Sequence, residues 1–280
     1  MTDTSIAAAH VATNDLRVGS VISRSGAVLS RHFLPFFIVA AIADSPTLLI
    51  ASMQTTEPIE PSEALSRVLW ASLGVVLRVV LSQFCDAIIL HAAFQDMRRR
   101  PVRLVESFNV GLSRFVPLVV IAFVQSFLIV LVMILVTIPF TLYTILPLGE
   151  IAVVQMGLPI LVVTIPGLIL YTMWFVGLPA CLVERLGPWT SLRRSRKLTT
   201  GYRWKVIALA LLLPVVDAGR SKVIAPVLTD LAGPIAGLTG QLIWTGVTVA
   251  FTGVVFAVTY YDLRVIKEGV DIEQITVVFV

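Results

Sequence analysis

FVPLVVIAFVQSFLIVLVMILVTI, residues 115–138, runs for 24 residues without a charged side chain. A hydrocarbon layer about 30 Å thick is crossed by about 20 residues of helix. Inside it a chain must satisfy its own backbone hydrogen bonds, so a segment of this kind reads as a membrane-spanning helix. Five further stretches have the same character: Phe33–Met53, Arg67–Phe94, Ile151–Val183, Lys205–Leu228 and Ile235–Tyr260. Composition agrees, with 57% hydrophobic residues, 14% charged and a mean hydropathy of +0.94. Those values exclude an ordinary water-soluble domain. The expected fold class is an all-α integral membrane bundle of six transmembrane helices.

Charge sets the expected orientation, because Lys and Arg in short loops stay on the cytoplasmic side. Arg17, Arg24 and Arg31 precede the first span; Arg98, Arg99, Arg100, Arg103 and Arg114 lie between the second and third. Arg185, Arg193, Arg194, Arg196, Lys197, Arg203 and Lys205 lie between the fourth and fifth, and Arg264 and Lys267 follow the sixth. That is 17 of the 21 basic residues on one side. Both termini are therefore expected in the cytoplasm of a bacterial plasma (inner) membrane protein. Residues 1–15 read as a polar tail, 16–265 as the membrane domain and 266–280 as a short cytoplasmic tail. The first span serves as insertion signal, with no cleaved leader needed. The net charge of +4 is this same bias, so no nucleic-acid partner is expected. Cys85 and Cys181 read as small apolar packing residues.

The chain repeats a pattern three times. LSRHFLPFF, LSRFVPLVV and GYRWKVIAL each join an amphipathic segment to a span, and their arginines Arg31, Arg114 and Arg203 lie 83 and 89 residues apart. Each unit goes out and back, ending at an acidic–basic pair: Asp96 with Arg98, Glu184 with Arg185, Asp262 with Arg264. Internal repeats are common in transporters; the alternative is that insertion rules alone place Arg and an aromatic at each entry. The three opening segments read as cytoplasmic interfacial helices. In the first, Val18, Val21, Ile22, Val28 and Leu29 share a face, expected to lie on the lipid, while Arg17, Arg24 and Arg31 sit among phosphates. In the second, Pro101 is expected in the first turn, with Val105, Phe108, Leu112 and Phe115 on one stripe. The third starts at Pro188, with Trp189 and Leu192 pointing one way and Gly201 as the C-cap.

Two stretches carry a family resemblance. The run from Arg194 to Trp204, and Tyr260–Arg264 followed by Glu268, Gly269 and Asp271, resemble the bacterial six-span family named for the glycerophosphoryl diester phosphodiesterase membrane domain. LPACLVERLGP resembles that family's exit from the fourth span. The resemblance implies a six-span domain and no activity. The chain has only His10, His32 and His91 and no room for a barrel domain, so the enzyme behind the family name is not expected in it.

Asp44, Arg78 and Asp86 fall inside spans, where ionisable groups are costly and count as functional candidates. Arg78, Ser82 and Asp86 step by four along one helix face. Asp44 and Arg78 lie at similar depth, so a pair between adjacent antiparallel helices is natural; Asp86 sits about 12 Å from Arg78 along the axis. Ser45 and Pro46 are expected to break the first span, as mid-membrane sites often do. The other reading is a structural ion pair that sets helix register. Gly246, Ala250, Gly253 and Ala257 form a small-residue stripe that favours close helix packing. On the cytoplasmic side, Arg193, Arg194, Arg196 and Lys197, flanked by Trp189 and Trp204, point to anionic lipid headgroups, unless they act only as an insertion signal. No phosphate loop, metal-ligand cluster, nucleophile elbow or CxxC pair occurs. The expectation is a non-catalytic membrane protein, without metal or cofactor, that organises anionic lipids or a partner protein, or a second copy of itself. A small transporter or channel using Asp44, Arg78 and Asp86 is the alternative.

Overall fold

The computed structural model describes residues 15–53, 64–98, 100–145, 167–219 and 223–269, and among these every regular element is helical. In chain order they are α1 (Val18–Arg31), α2 (Phe33–Met53), α3 (Ala64–Met97), α4 (Leu104–Ser113) and α5 (Phe115–Ile145). Then follow α6 (Gly177–Val183), which closes an apolar stretch running from Gly167, and α7 (Pro188–Thr199). α8 (Arg203–Gly219), α9 (Ala225–Ala232) and α10 (Pro234–Glu268) complete the order. Two helical segments, Ser72–Met97 and Ile235–Glu268, are by themselves long and apolar enough to cross a membrane. The number rises to five when each of three sharply bent helix pairs is taken as one span.

Those bends fall at the three junctions where an arginine and an aromatic residue lead into an apolar segment. α1 meets α2 at 92°, α4 meets α5 at 70° and α7 meets α8 at 112°. The first two corners fall at His32 and Arg114, and in both a proline, Pro35 or Pro117, sits in the first turn of the next helix. A first-turn proline sacrifices only an N–H that has no helical partner, so it favours a fresh start. The third corner turns through Gly201 at φ +89°, a conformation that glycine adopts without strain. α7 thus ends at Thr199, short of Gly201, and starts at Pro188 as expected. Pro101, in contrast, lies three residues ahead of α4 rather than in its first turn.

α10 is the hub. It packs on α1, α2, α3, α8 and α9 and touches α6 and α7. Its small stripe works as expected: Ala250 and Ala257 are fully buried, and a Cβ on Gly253 would sit 3.0 Å from Ile89 Cγ2. At Gly246 it would meet the Phe37 ring at 2.7 Å. The buried core lies at the end of the bundle that carries the short helices. On α3 it comprises Cys85–Phe94 and on α10 Ala250–Leu263, joined by Phe36, Leu182, Leu198 and Leu209. Away from that end large apolar side chains face outward, among them Ile42, Leu73, Phe127, Val215 and Ile243. Apolar surface on this scale is foreign to a monomer in water.

Three expectations change. α2 is helical from Phe33 to Met53, so Ser45 and Pro46 do not break it. Pro46 lacks the N–H that would reach the Ile42 carbonyl, and Ser45 Oγ donates to that carbonyl instead, at 2.9 Å. The apolar face of α1 is turned inward: Val21, Val28 and Leu29 are buried, and α1 packs on α10 rather than presenting that face to lipid. The stretch Lys205–Leu228 is divided between α8 and α9. Of the stretch Ile151–Val183, residues 151–166 lie outside the described residues, as do 1–14 and 270–280 of the two tails.

Candidate functional site

The charged groups gather at the end where α1, α4 and α7 meet the last turns of α3, α6 and α10. Each expected exit acid is present there and shielded, with side chains 11% (Asp96), 16% (Glu184) and 13% (Asp262) exposed. A shielded carboxylate without a partner is costly. Each acid takes a cation from another element. Asp96 Oδ1 lies 2.8 Å from His32 Nε2 and its Oδ2 3.3 Å from Arg31 Nη1, so it clasps the α1–α2 corner. Asp262 pairs with Arg24 of α1, whose guanidinium also lies over the Tyr261 ring at 5.5 Å.

Glu184 is at the centre of a larger network. Arg194 Nε of α7 donates to both of its oxygens, at 2.8 and 2.9 Å. The Tyr260 hydroxyl donates to Oε1 at 2.6 Å, and Arg264 Nε stands 3.9 Å from the same atom. Glu268 closes the ring, binding Arg194 through Oε1 and accepting from Arg264 Nε at 3.1 Å through Oε2. Burial works against the Arg194 charge, but the hydrogen bonds and charges of Glu184 and Glu268 outweigh it and hold its pKa above the usual arginine value. Arg194 is therefore committed within the protein and does not project to a headgroup.

The rest of α7 divides by face. Ser191, Leu192, Ser195, Leu198 and Thr199 are buried, and Ser195 Oγ donates to the Met173 carbonyl at 2.7 Å. Arg193, Arg196 and Lys197 are exposed, with Trp189 66% and Trp204 83% exposed. Trp189 and Leu192 point opposite ways, contrary to expectation. Arg98 lies just past the end of α3, and Arg185 follows Glu184 with a backbone φ of +52°.

Inside the bundle Asp86 is buried on α3 beside Gly253 of α10. The expected Asp44–Arg78 pair falls on side chains outside those described; the helices that carry them, α2 and α3, do pack together. Cys85 and Cys181 are buried free thiols. Among the described residues no group of three or more His, Cys, Asp or Glu side chains could hold a metal ion.

The exit acids are conspicuous in the sequence; the partners Arg24, Arg31, Tyr260 and Glu268 that complete their clusters are not. Arg24 and Arg31 read there as lipid contacts, and Tyr260 and Glu268 stand out only in the family resemblance. The seven-residue spacing of Arg24 and Arg31 was the available signal, since it puts both on one face. No protein-family model, curated protein or solved structure matches this chain.

Proposed function

We propose that this chain is a non-catalytic, multi-pass protein of the bacterial plasma membrane, with six spans and both termini in the cytoplasm. Its three short helices lie at the cytoplasmic interface, and it organises anionic lipids there, alone or with a protein partner. One observation carries the reading. Arg194 ties α7 to Glu184 and Glu268, while Arg193, Arg196 and Lys197 stay exposed between two exposed tryptophans. Indole rings prefer headgroup depth, and each basic residue near an anionic surface contributes about 1 kcal/mol. The kinship to the phosphodiesterase-associated membrane family belongs to the same proposal. In its support, the two stretches that carry the resemblance meet in space at Arg194, Tyr260, Arg264 and Glu268.

The test leaves Arg194 in place. Arg193→Gln, Arg196→Gln and Lys197→Gln together should reduce anionic lipid retained through purification while the melting temperature in detergent stays near wild type. Unchanged retention by a folded triple variant refutes lipid organisation by α7. An inverted topology would make the cluster an insertion signal only. Asp86 supports the second reading, a small transporter or channel, because a buried carboxylate facing a neighbouring helix is a common form of an intramembrane ion site. Proton- or ion-dependent uptake into vesicles that vanishes in Asp86→Asn would favour it.

A further inference from the structure

A cavity of about 380 Å³ opens between the end of α3, residues 100–103, α4 and Arg185. Arg98, Arg100, Arg103 and Arg185 line it, with Glu106 as the single carboxylate and His91 beside them. This composition differs from the acid-centred clusters around Asp96, Glu184 and Asp262. Arg24, Arg31, Arg194, Arg264 and Lys205 each have a carboxylate partner. Among the described residues, Arg100, Arg103 and Arg185 have none.

The rim is built rather than loose. Gln95, itself buried, accepts the Arg103 N–H on its side-chain oxygen at 2.8 Å and the Arg100 N–H on its carbonyl at 3.0 Å. His91 Nδ1 meets Ser107 Oγ at 2.9 Å and fixes α4 against α3. Arg185 alone among the described non-glycine residues has a positive φ, and Arg114 Nη1 donates to its carbonyl at 3.3 Å. Backbone strain held in place by neighbours is a recurrent mark of ligand sites. Burial, and then the charges of Arg100 and Arg264, push the Arg98 pKa below its usual value. Positive charge is thus crowded at this cavity, with Glu106 the one acid in its lining.

The geometry points to this cavity as a binding site for a phosphate or phosphate-ester group. Guanidinium forks match phosphate oxygens bidentately, and several converging on one volume suit a multivalent tetrahedral anion better than a single carboxylate. The volume lies at the lower end of the range of small-ligand pockets, about 300–1,000 Å³. A mostly apolar groove of about 760 Å³ along α4 shares Arg103, Glu106 and Val110 with it. A headgroup could thus sit among the arginines with an apolar tail along Val105 and Val110; a free phosphate would use the cavity alone. The site is separate from the exposed face of α7, and it stands or falls without the lipid reading of that face.

The full chain in phosphatidylcholine nanodiscs is titrated with inorganic phosphate, and separately reconstituted in nanodiscs doped with phosphatidic acid. The readout is melting temperature. A rise with inorganic phosphate identifies a free-anion site, and a rise only with phosphatidic acid identifies a headgroup site. In either case Arg100→Gln with Arg103→Gln should weaken the apparent affinity by roughly 20-fold or more, each basic side chain being worth about fivefold. Both side chains are exposed and make no ion pair, so the double variant is expected to fold; Arg185→Gln is the second variant should it not. Arg193→Gln with Arg196→Gln and Lys197→Gln should leave the shift intact, which separates this site from α7. No shift with either probe, or a shift that persists in both pocket variants, overturns the assignment.

Discussion

Arg194 on both oxygens of a largely shielded Glu184, and the Tyr260 hydroxyl at 2.6 Å, leave that carboxylate little need of water. Removing one member strands the others. Glu184→Ala leaves Tyr260 without its acceptor and Arg194 with Glu268 alone. Loss of one partner of a buried pair costs about 3–5 kcal/mol, and the partial exposure here reduces the expectation to about 2–3 kcal/mol. Tyr260→Phe removes a hydrogen bond to a charged group and should cost about 1.5–3 kcal/mol. Thermal unfolding in detergent measures both, and two near-neutral variants would show that the network holds nothing together. The acids of this network stand out in the sequence because an ionisable residue just past an apolar run is conspicuous. Their partners do not: Arg24 and Asp262 are 238 residues apart, and no local pattern ties one to the other.

Glycines within helices serve two different ends in this chain. A Cβ on Gly253 meets Ile89 at 3.0 Å and one on Gly246 meets the Phe37 ring at 2.7 Å, so α10 can approach α3 and α2 only because these side chains are missing. Gly253→Val should cost about 1–3 kcal/mol through overpacking. Gly19 and Gly26 of α1 have nothing within 4 Å of such a Cβ. Gly26→Ala should therefore be neutral or stabilise by up to about 1 kcal/mol, since alanine loses less backbone entropy in a helix. Equal losses for Gly253→Val and Gly26→Ala, read from unfolding midpoints, would sink this account of the α10 stripe. The stripe was legible from its spacing alone. The orientation of the amphipathic helices was not. α1 and α4 both alternate polar and apolar residues at helical period, yet Val21 and Val28 face the protein while Val105, Phe108 and Leu112 face outward. Periodicity defines a face and says nothing about which solvent or neighbour it meets.

Across the whole molecule the short helices form a linked series. The end of α3 holds α4 through Gln95 and His91, the Glu184 that ends α6 holds α7, and Asp262 near the end of α10 holds α1. This arrangement places α1, α4 and α7 at one end, the end that the proposed orientation turns to the cytoplasm on the strength of its charge bias. An impermeant thiol reagent added to intact cells should label Thr229→Cys, whereas Asn109→Cys and Thr200→Cys should react only in inverted vesicles. All three positions are exposed. Labelling of Asn109→Cys or Thr200→Cys from outside would overturn the orientation; Ser107 and Ser195 are buried and would stay silent on either side, so they make poor reporters. The sequence by itself determined the helical class, the existence of long apolar segments, the basic side, the three corners and the close-packing stripe. Each depends on residues within a few turns of one another, where period and composition act directly. Only the tertiary structure decided which cation meets which acid, which way α1 faces, that Arg194 is committed inward, and that four arginines surround one cavity. Those outcomes depend on chain segments tens to hundreds of residues apart. There, packing of α10 against its neighbours selects one pairing among many that local chemistry would allow equally.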